Sequence, residues 1–513
     1  MNVSRIRWAG RLLLAFAVTA FSGLRLGAQA GFDDDRVMLQ GFYWESYRHG
    51  HTEKFPEYGA ESWYRIVARV APQIRDAGFS LVWLPPPFFA GTYSAGYNPK
   101  EYFTFTNSYG SFDEHRAMLV ALLEAGVEPV ADLVLNHRDG STGWAGFAAP
   151  AWDTRTICKY DECFFNRESE VFGTPDDQRG AEEPSPSYLP RGGAAYAYGS
   201  FRDLDHGNPV VRRDLIRAMR SLQSLGYRGW RYDMVHGFDA HWLAVYNRAT
   251  RPTFSVGEYD WDKQAEQRGW VWFTATEPAQ DGADHLRTSS NVFDFKGQFT
   301  LKDNKGNPRA LSGYGNGIGL IGDTTDGLPW RQRAVTFAEN HDTGHRTHED
   351  GTPEKDHVFD SFQNNWEIQQ AYAYLLTHPG VPCVYWKHYF DWGADLQVKL
   401  RALINARRVA GVTSGSEVNI QQNAWQANVY AARVVGAQGM LYVRIGGDDQ
   451  TWNPGMSNYP DYREYAAGDG WKVWVALPGN PPVRQAVAKP PLPVPEFRWP
   501  DQITVSDSEL DLP

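Results

Sequence analysis

Eight short apolar runs, each followed by a stretch of helical periodicity, constrain this chain more than any other feature. They occupy residues 37–43, 81–84, 129–135, 229–233, 253–257, 292–295, 334–338 and 382–386. Near-continuous apolar runs fit parallel strands buried on both faces, because the polar alternation of a half-exposed strand is lost when neither face meets water. The intervening segments carry helix punctuation. Ser111 with Glu114 makes a capping-box pattern, Phe112, Leu119, Leu122 and Leu123 form a stripe, and Gly126 ends it. Asn208-Pro209 sets a cap and a first-turn proline ahead of Val211, Leu215, Met219 and Leu222, with Gly226 at the close. Eight strand–helix pairs predict an α/β fold, a (β/α)8 TIM barrel. A doubly wound open sheet alternates in the same way; the count of eight and the polar residues at the strand ends favour the barrel.

The barrel pattern spans residues 31–137 and 208–411, interrupted after the third strand by an insertion at 138–207 rich in Gly, Pro, Asp and aromatics. A connection of that length is functional or a small domain of its own. Residues 412–478 change to short alternating runs, the pattern of an antiparallel β domain, and 479–513 read as an extended Pro-rich tail. At the other end, Arg5, Arg7 and Arg11 precede the apolar stretch 12–21, and Ala28-Gln29-Ala30 resembles a cleavage site. Residues 1–30 therefore read as a secretory signal peptide, and a soluble exported protein, periplasmic or extracellular, is expected. The apolar stretch is too short to span a bilayer comfortably.

A formal net charge of -11 argues against nucleic acid or anionic membrane as the main partner, while a neutral polymer would not be repelled. The 20 Trp, 26 Tyr and 27 Phe supply flat faces of the kind that suit sugar rings, although large cores also consume aromatics. Three cysteines make no disulfide scaffold: Cys158 and Cys163 are near enough in sequence to pair under oxidising conditions, and Cys383 reads as a small buried hydrophobe. A monomer is expected.

Chemistry in such a barrel sits where strands end. The third run leads into Asn136-His137-Arg138, the fourth holds Arg231 and stops on Asp233 before His236-Gly237, the fifth stops on Glu258, and the seventh on Glu339-Asn340-His341-Asp342. Three strands thus deliver acids to one rim. Cleaving a glycosidic bond needs a proton for the leaving oxygen and negative charge facing an oxocarbenium ion; a retaining enzyme needs a carboxylate nucleophile ~5–5.5 Å from the acid. Crowded carboxylates push one another's pKa apart, so one stays protonated as an acid. Arg231, two residues before Asp233, lies on the same strand face and is placed to hold Asp233 ionised.

These strand-end segments resemble the signature regions of the α-amylase family of glycoside hydrolases. Leu39-Gln-Gly-Phe-Tyr-Trp-Glu45, Trp83-Leu-Pro-Pro-Pro87 and Phe390-Asp-Trp-Gly393 look particularly like plant-type α-amylases and bacterial maltooligosaccharide-forming enzymes. The resemblance implies Asp233 as nucleophile, Glu258 as general acid/base and Asp342 as the third carboxylate. It implies that His137 and His341 hydrogen-bond the sugar and that Tyr97 stacks on its ring. The insertion becomes the family's domain B, held to the barrel by Ca2+ through Asn136, Asp161, Asp203 and the carbonyl of Gly237; calcium favours such oxygen ligands. His236 departs from the Lys of many relatives at that substrate-binding position, and Glu258 is followed by Tyr-Asp-Trp rather than the commoner apolar-Trp pair. The implied activity is hydrolysis of α-1,4-glucosidic bonds in starch or maltooligosaccharides. Rival readings are glucan transfer at the same site, or a catalytically inactive glucan-binding protein.

Overall fold

All eight apolar runs become parallel strands, and the sheet closes on itself. The computed structural model describes residues 33–141, 146–159, 180, 202–259, 263–347, 362, 364–479 and 489–512. The expected signal segment, Asp161 and Cys163 lie outside them. In chain order the barrel elements are β1 (Met38–Gln40), α1 (Trp63–Ala77), β2 (Leu81–Leu84), α2 (Phe112–Glu124), β3 (Glu128–Leu133), α3 (Pro209–Leu225), β4 (Gly229–Tyr232) and α4 (Ala240–Thr250). They continue as β5 (Phe254–Gly257), α5 (Gln264–Phe273), β6 (Asn291–Phe293), α6 (Phe295–Asp303), β7 (Ala334–Phe337), α7 (Asn365–Leu375), β8 (Val381–Tyr385) and α8 (Ala394–Ala410). Each strand pairs in parallel with the next, and β1 with β8 closes the ring.

The helix signals act as read. Ser111 and Glu114 exchange reciprocal hydrogen bonds at the start of α2, at 3.3 and 2.9 Å, and Asn208 accepts from the Val210 amide at 2.9 Å at the start of α3. Gly126 and Gly226, with φ of 74° and 144°, turn the chain out of both helices in a region costly for other residues. The first run is the exception: strand pairing stops at Gln40. The Tyr43 amide donates to Ser46 Oγ at 2.8 Å, and the chain curls into the 3-10 helix Trp44–Arg48, so Phe42 and Tyr43 are apolar turn residues.

Of the insertion, the described part includes a two-residue strand, His137–Arg138, paired antiparallel with Arg202–Asp203. Cys158 is buried beside it, its Sγ 3.3 Å from the Leu204 carbonyl. Cys383 is buried in β8, as its apolar surroundings imply. Past α8 a five-stranded antiparallel sheet forms from β9 (Val418–Ile420), β10 (Tyr430–Val435), β11 (Met440–Ile445), β12 (Arg463–Gly468) and β13 (Trp471–Ala476), in the order β9-β10-β11-β13-β12. Tyr430, Val443 and Trp471 join the same continuous core as the barrel helices, and His378 meets the Tyr430 hydroxyl at 2.6 Å across the seam.

The described tail is extended only as far as Trp499, then makes 3-10 turns at Pro500–Gln502 and Asp507–Glu509, and it is docked. Residues 489–512 run over the outer faces of α2, α3 and α4. Trp499 stacks on Phe112 with centroids 5.0 Å apart, Arg217 donates to the Ile503 carbonyl at 3.2 Å, Arg213 pairs with Asp507 at 2.7 Å, and Leu510 is buried. Among the described residues no helix is long and apolar enough to cross a membrane.

Candidate active site

Register builds the site's floor. Asp132 on β3 and Arg231 on β4 are cross-strand partners, so both side chains enter the barrel on the same level. Arg231 is fully buried and donates from Nη1 to Asp132 Oδ1 and Asp233 Oδ1, and from Nη2 to Glu258 Oε2, each at 2.7 Å. Asp132 also accepts from Trp83 Nε1 at 3.0 Å and the Tyr97 hydroxyl at 2.8 Å, and the Arg231 guanidinium lies 4.8 Å from the Trp83 ring. The residue after Asp233, Met234, sits at φ 43°, ψ 49°, left-handed backbone that costs a non-glycine residue roughly 1–3 kcal/mol and occurs at functional sites. Its amide points at Glu258 Oε2 at 3.4 Å.

One cation thus serves three carboxylates, with Asp342 adding a fourth negative charge nearby. Burial pushes all three buried carboxyls up against Arg231's pull: Asp132 to about 6, Asp233 to about 7 and Glu258 to about 8. A single guanidinium cannot neutralise every buried carboxylate, so a proton stays in the cluster near neutral pH, shared among coupled carboxyls. Arg231 keeps its own charge because the carboxylates outweigh the cost of its burial.

Asp342 stands on a turn that Asn340 organises: Asn340 Oδ1 accepts from the Asp342 and Thr343 amides, both at 2.9 Å. Its carboxylate lies 3.1 Å from His341 Nε2 and 3.5 Å from Arg346 Nη1. The charge of Asp342 raises the pKa of both Asp233 and Glu258, so it acts on the same space. On its other nitrogen, His341 meets Gln40 Nε2 at 2.9 Å. The rings of Trp44, Tyr97 and His341 are parallel within 8°, with centroids 5.1–6.0 Å apart, forming an aromatic wall beside the acids. His137 Nε2 faces the Tyr97 carbonyl at 2.8 Å and so braces that wall from behind. Burial depresses His137 and His236 to about 4, leaving both neutral near pH 7. His236 is half-buried beside the Tyr259 ring, 6.1 Å away.

Two of the four expected metal ligands, Asn136 and Asp203, meet, and the backbone of a third, Gly237, approaches Asn136 closely. Asn136 Nδ2 donates to Asp203 Oδ1 at 3.1 Å, while Asn136 Oδ1 is buried and accepts no hydrogen bond. A Cβ placed on Gly237 would lie 1.9 Å from that oxygen, so a larger residue there would displace the Asn136 side chain. Among the described residues no group of three or more His, Cys, Asp or Glu clusters as a metal site; the donors here are an amide, one carboxylate and a backbone carbonyl.

Residues 67–250 match the alpha amylase catalytic domain, and residues 409–475 match the alpha-amylase C-terminal beta-sheet domain. The chain is 30% identical over 479 residues to a glucan 1,4-alpha-maltotetraohydrolase of Stutzerimonas stutzeri, covering 87% of this chain and 74% of that one. The chain belongs to the alpha-amylase family.

As a family member it is also 28% identical over 470 residues to a probable alpha-amylase 2 of Arabidopsis thaliana, covering 86% of this chain and 94% of the relative. Its fold is similar to the crystal structure of an Anoxybacillus alpha-amylase, with a TM-score of 0.60 at 14% identity, over 86% of this chain and 98% of that one. Within this alpha-amylase fold four side chains join the site that the strand-end reading left out: Gln40, Trp44, Trp83 and Asp132. Asp132 carried a signal, since a lone carboxylate within a buried apolar run demands a buried partner. Trp83 and Trp44 read as ordinary apolar positions, and only the contacts reveal their place.

Proposed function

We propose that this chain hydrolyses α-1,4-glucosidic bonds of starch and maltooligosaccharides with retention of configuration. The observation that carries this is the shared guanidinium: Arg231 binds Asp233 through one terminal nitrogen and Glu258 through the other, each at 2.7 Å. Two carboxyls gathered on one guanidinium are close neighbours, which supports the short ~5–5.5 Å spacing that a retaining mechanism uses. Asp233 attacks the anomeric carbon while Glu258 gives its proton to the leaving glycosidic oxygen. Glu258, now ionised, takes a proton from a water that attacks the same carbon and releases Asp233.

Asp342 orients the sugar's hydroxyls and adds negative charge opposite the oxocarbenium ion. Tyr97 and His341 form the face against which the sugar lies, Arg231 favours the ionised form of Asp233 against the burial that raises its pKa, and His236 borders the leaving-group side. His137 contributes by fixing the Tyr97 backbone; direct contact with sugar through Nε2 requires exchanging that bond.

Asn136, Asp203 and the Gly237 carbonyl fit a calcium ion, with Asp161 as a further ligand; the unmatched Asn136 oxygen supports this. When bound, the ion supplies a structural crosslink between insertion and barrel, next to the loop after Asp233. The division into a signal segment 1–30, a barrel at 31–137 and 208–411, domain B at 138–207, a β domain at 412–478 and a tail at 479–513 belongs to the same reading, as do export and a monomeric state.

Purified protein incubated with soluble starch tests it. The expected products are reducing oligosaccharides released first as α-anomers; absence of reducing ends, or initial β-anomers, contradicts it. Added acceptor sugar distinguishes hydrolysis from transfer by the length of the products.

A further inference from the structure

The loop that carries Asp342 is held at Thr347 by charged side chains from two other strand ends. Thr347, five residues past Asp342, donates its amide to Glu45 Oε1 at 2.6 Å and its hydroxyl to the same oxygen at 3.2 Å. Its carbonyl accepts from Arg48 Nη2 at 2.8 Å, and its hydroxyl oxygen lies 3.3 Å from Arg48 Nη1. Lys387, just after β8, donates to the His345 carbonyl at 2.8 Å and pairs with Glu45 Oε2 at 3.2 Å. Glu45 and Arg48 are each only 2% exposed. Buried charge is retained only when satisfied, and here the Thr347 backbone shares that role with Lys387 on Glu45 and the Tyr58 hydroxyl on Arg48. Between the Asn340 turn and Thr347, the guanidinium of Arg346 lies over Trp44 at 4.4 Å and reaches Asp342 Oδ1 at 3.5 Å.

We propose that Glu45, Arg48 and Lys387 form a clamp whose work is to position Asp342 for catalysis, resting on the glycosidase reading above. The Asn340 turn fixes where Asp342 leaves β7; the clamp fixes the loop beyond it, and together they leave the carboxylate little freedom. Lys387 ties the end of the barrel's last strand to the helical turn after its first, across the seam where the ring closes. These are positioning residues: none of their charged groups contacts Asp233 or Glu258 among the described contacts, and their effect passes through the loop 342–347.

The test is a kinetic cycle on the full chain with a chromogenic maltooligosaccharide. Lys387→Met and Glu45→Gln are expected to lower kcat by about 10²-fold, the scale of an ångström's misplacement, with KM changed less than about threefold. Lys387→Arg, which keeps the charge and a donor, restores most of kcat. In an Asp342→Asn background the further change Lys387→Met costs nothing more, because both act through one group. Amide exchange at Thr347 quickens in Glu45→Gln while that of the barrel strands does not, separating a loosened loop from a failed fold. Full kcat in Lys387→Met, or an undiminished additional loss in the Asp342→Asn background, overturns the clamp. A wild-type chain that releases nothing from any glucan takes away the glycosidase reading and this one with it, whereas an active wild type with an indifferent Lys387→Met removes the clamp alone.

Discussion

Arg231 Nη2 meets Glu258 Oε2 at 2.7 Å, so the proposed proton donor shares its guanidinium with the proposed nucleophile. That sharing couples their titrations. Protonating Asp233 frees Arg231 to hold Glu258 ionised, and ionising Asp233 helps Glu258 keep its proton. The pH dependence follows. Burial pushes Asp233 up to about 7 and Glu258 to about 8. Activity requires the first ionised and the second protonated, so kcat/KM falls below the lower value as Asp233 gains a proton and falls above the higher one as Glu258 loses its own. Initial rates across pH 4–10 check this: a narrow bell near neutrality is expected, and a plateau unbroken through alkaline pH disagrees.

His236 takes no part in that bell. Burial lowers its pKa to about 4, so it is neutral near pH 7. Replacing it, His236→Gln, is expected to change KM for substrates that extend past the cut and to leave both limbs of the pH profile in place. A displaced limb in the variant assigns His236 a titrating role.

Calcium enters through stability. An ion bound only to the folded chain at a hundred times its Kd contributes about 2.7 kcal/mol. Chelation is expected to lower the Tm by several degrees, and calcium to restore it where magnesium, which prefers a rigid octahedron, does not. The Asn136→Ala variant is expected to melt as the chelated protein does, with no response to calcium. A melting curve indifferent to chelator removes the site.

The docked tail predicts a stability effect without a catalytic one. Deleting residues 489–513 uncovers Phe112 and leaves the arginines of α3 without Asp507 and Glu509. A lowered Tm with kcat within about twofold is expected. Added salt should narrow the difference in Tm between full-length and shortened chains, because the exposed part of these ion pairs is screened. Equal melting temperatures contradict the contact.

The barrel was legible because parallel strands buried on both faces write themselves as apolar runs, and all eight appear. Of the proposed site acids, Asp233 and Glu258 were legible because each follows directly on an apolar run that becomes a strand, whereas Asp342 stands on a turn five residues past β7. What the sequence hid is what depends on cross-strand register. Asp132 pairs with Arg231 from 99 residues away, and Trp44 and His341 become parallel neighbours only once the ring closes. In the tail, prolines announced an extended chain but the aromatic pair Phe497 and Trp499 was the overlooked sign that it packs. The strand β12, Arg463–Gly468, carries charge on a largely exposed edge and had no apolar pattern to read.

Turnover in the two conservative carboxyl variants tests the central claim most directly. Asp233→Asn and Glu258→Gln each keep the shape of the side chain and remove one catalytic group. With folding verified by melting curves, each is predicted to lose on the order of 10²–10⁴ or more in kcat on maltooligosaccharides. Either purified variant turning over at the wild-type rate would contradict the assignment.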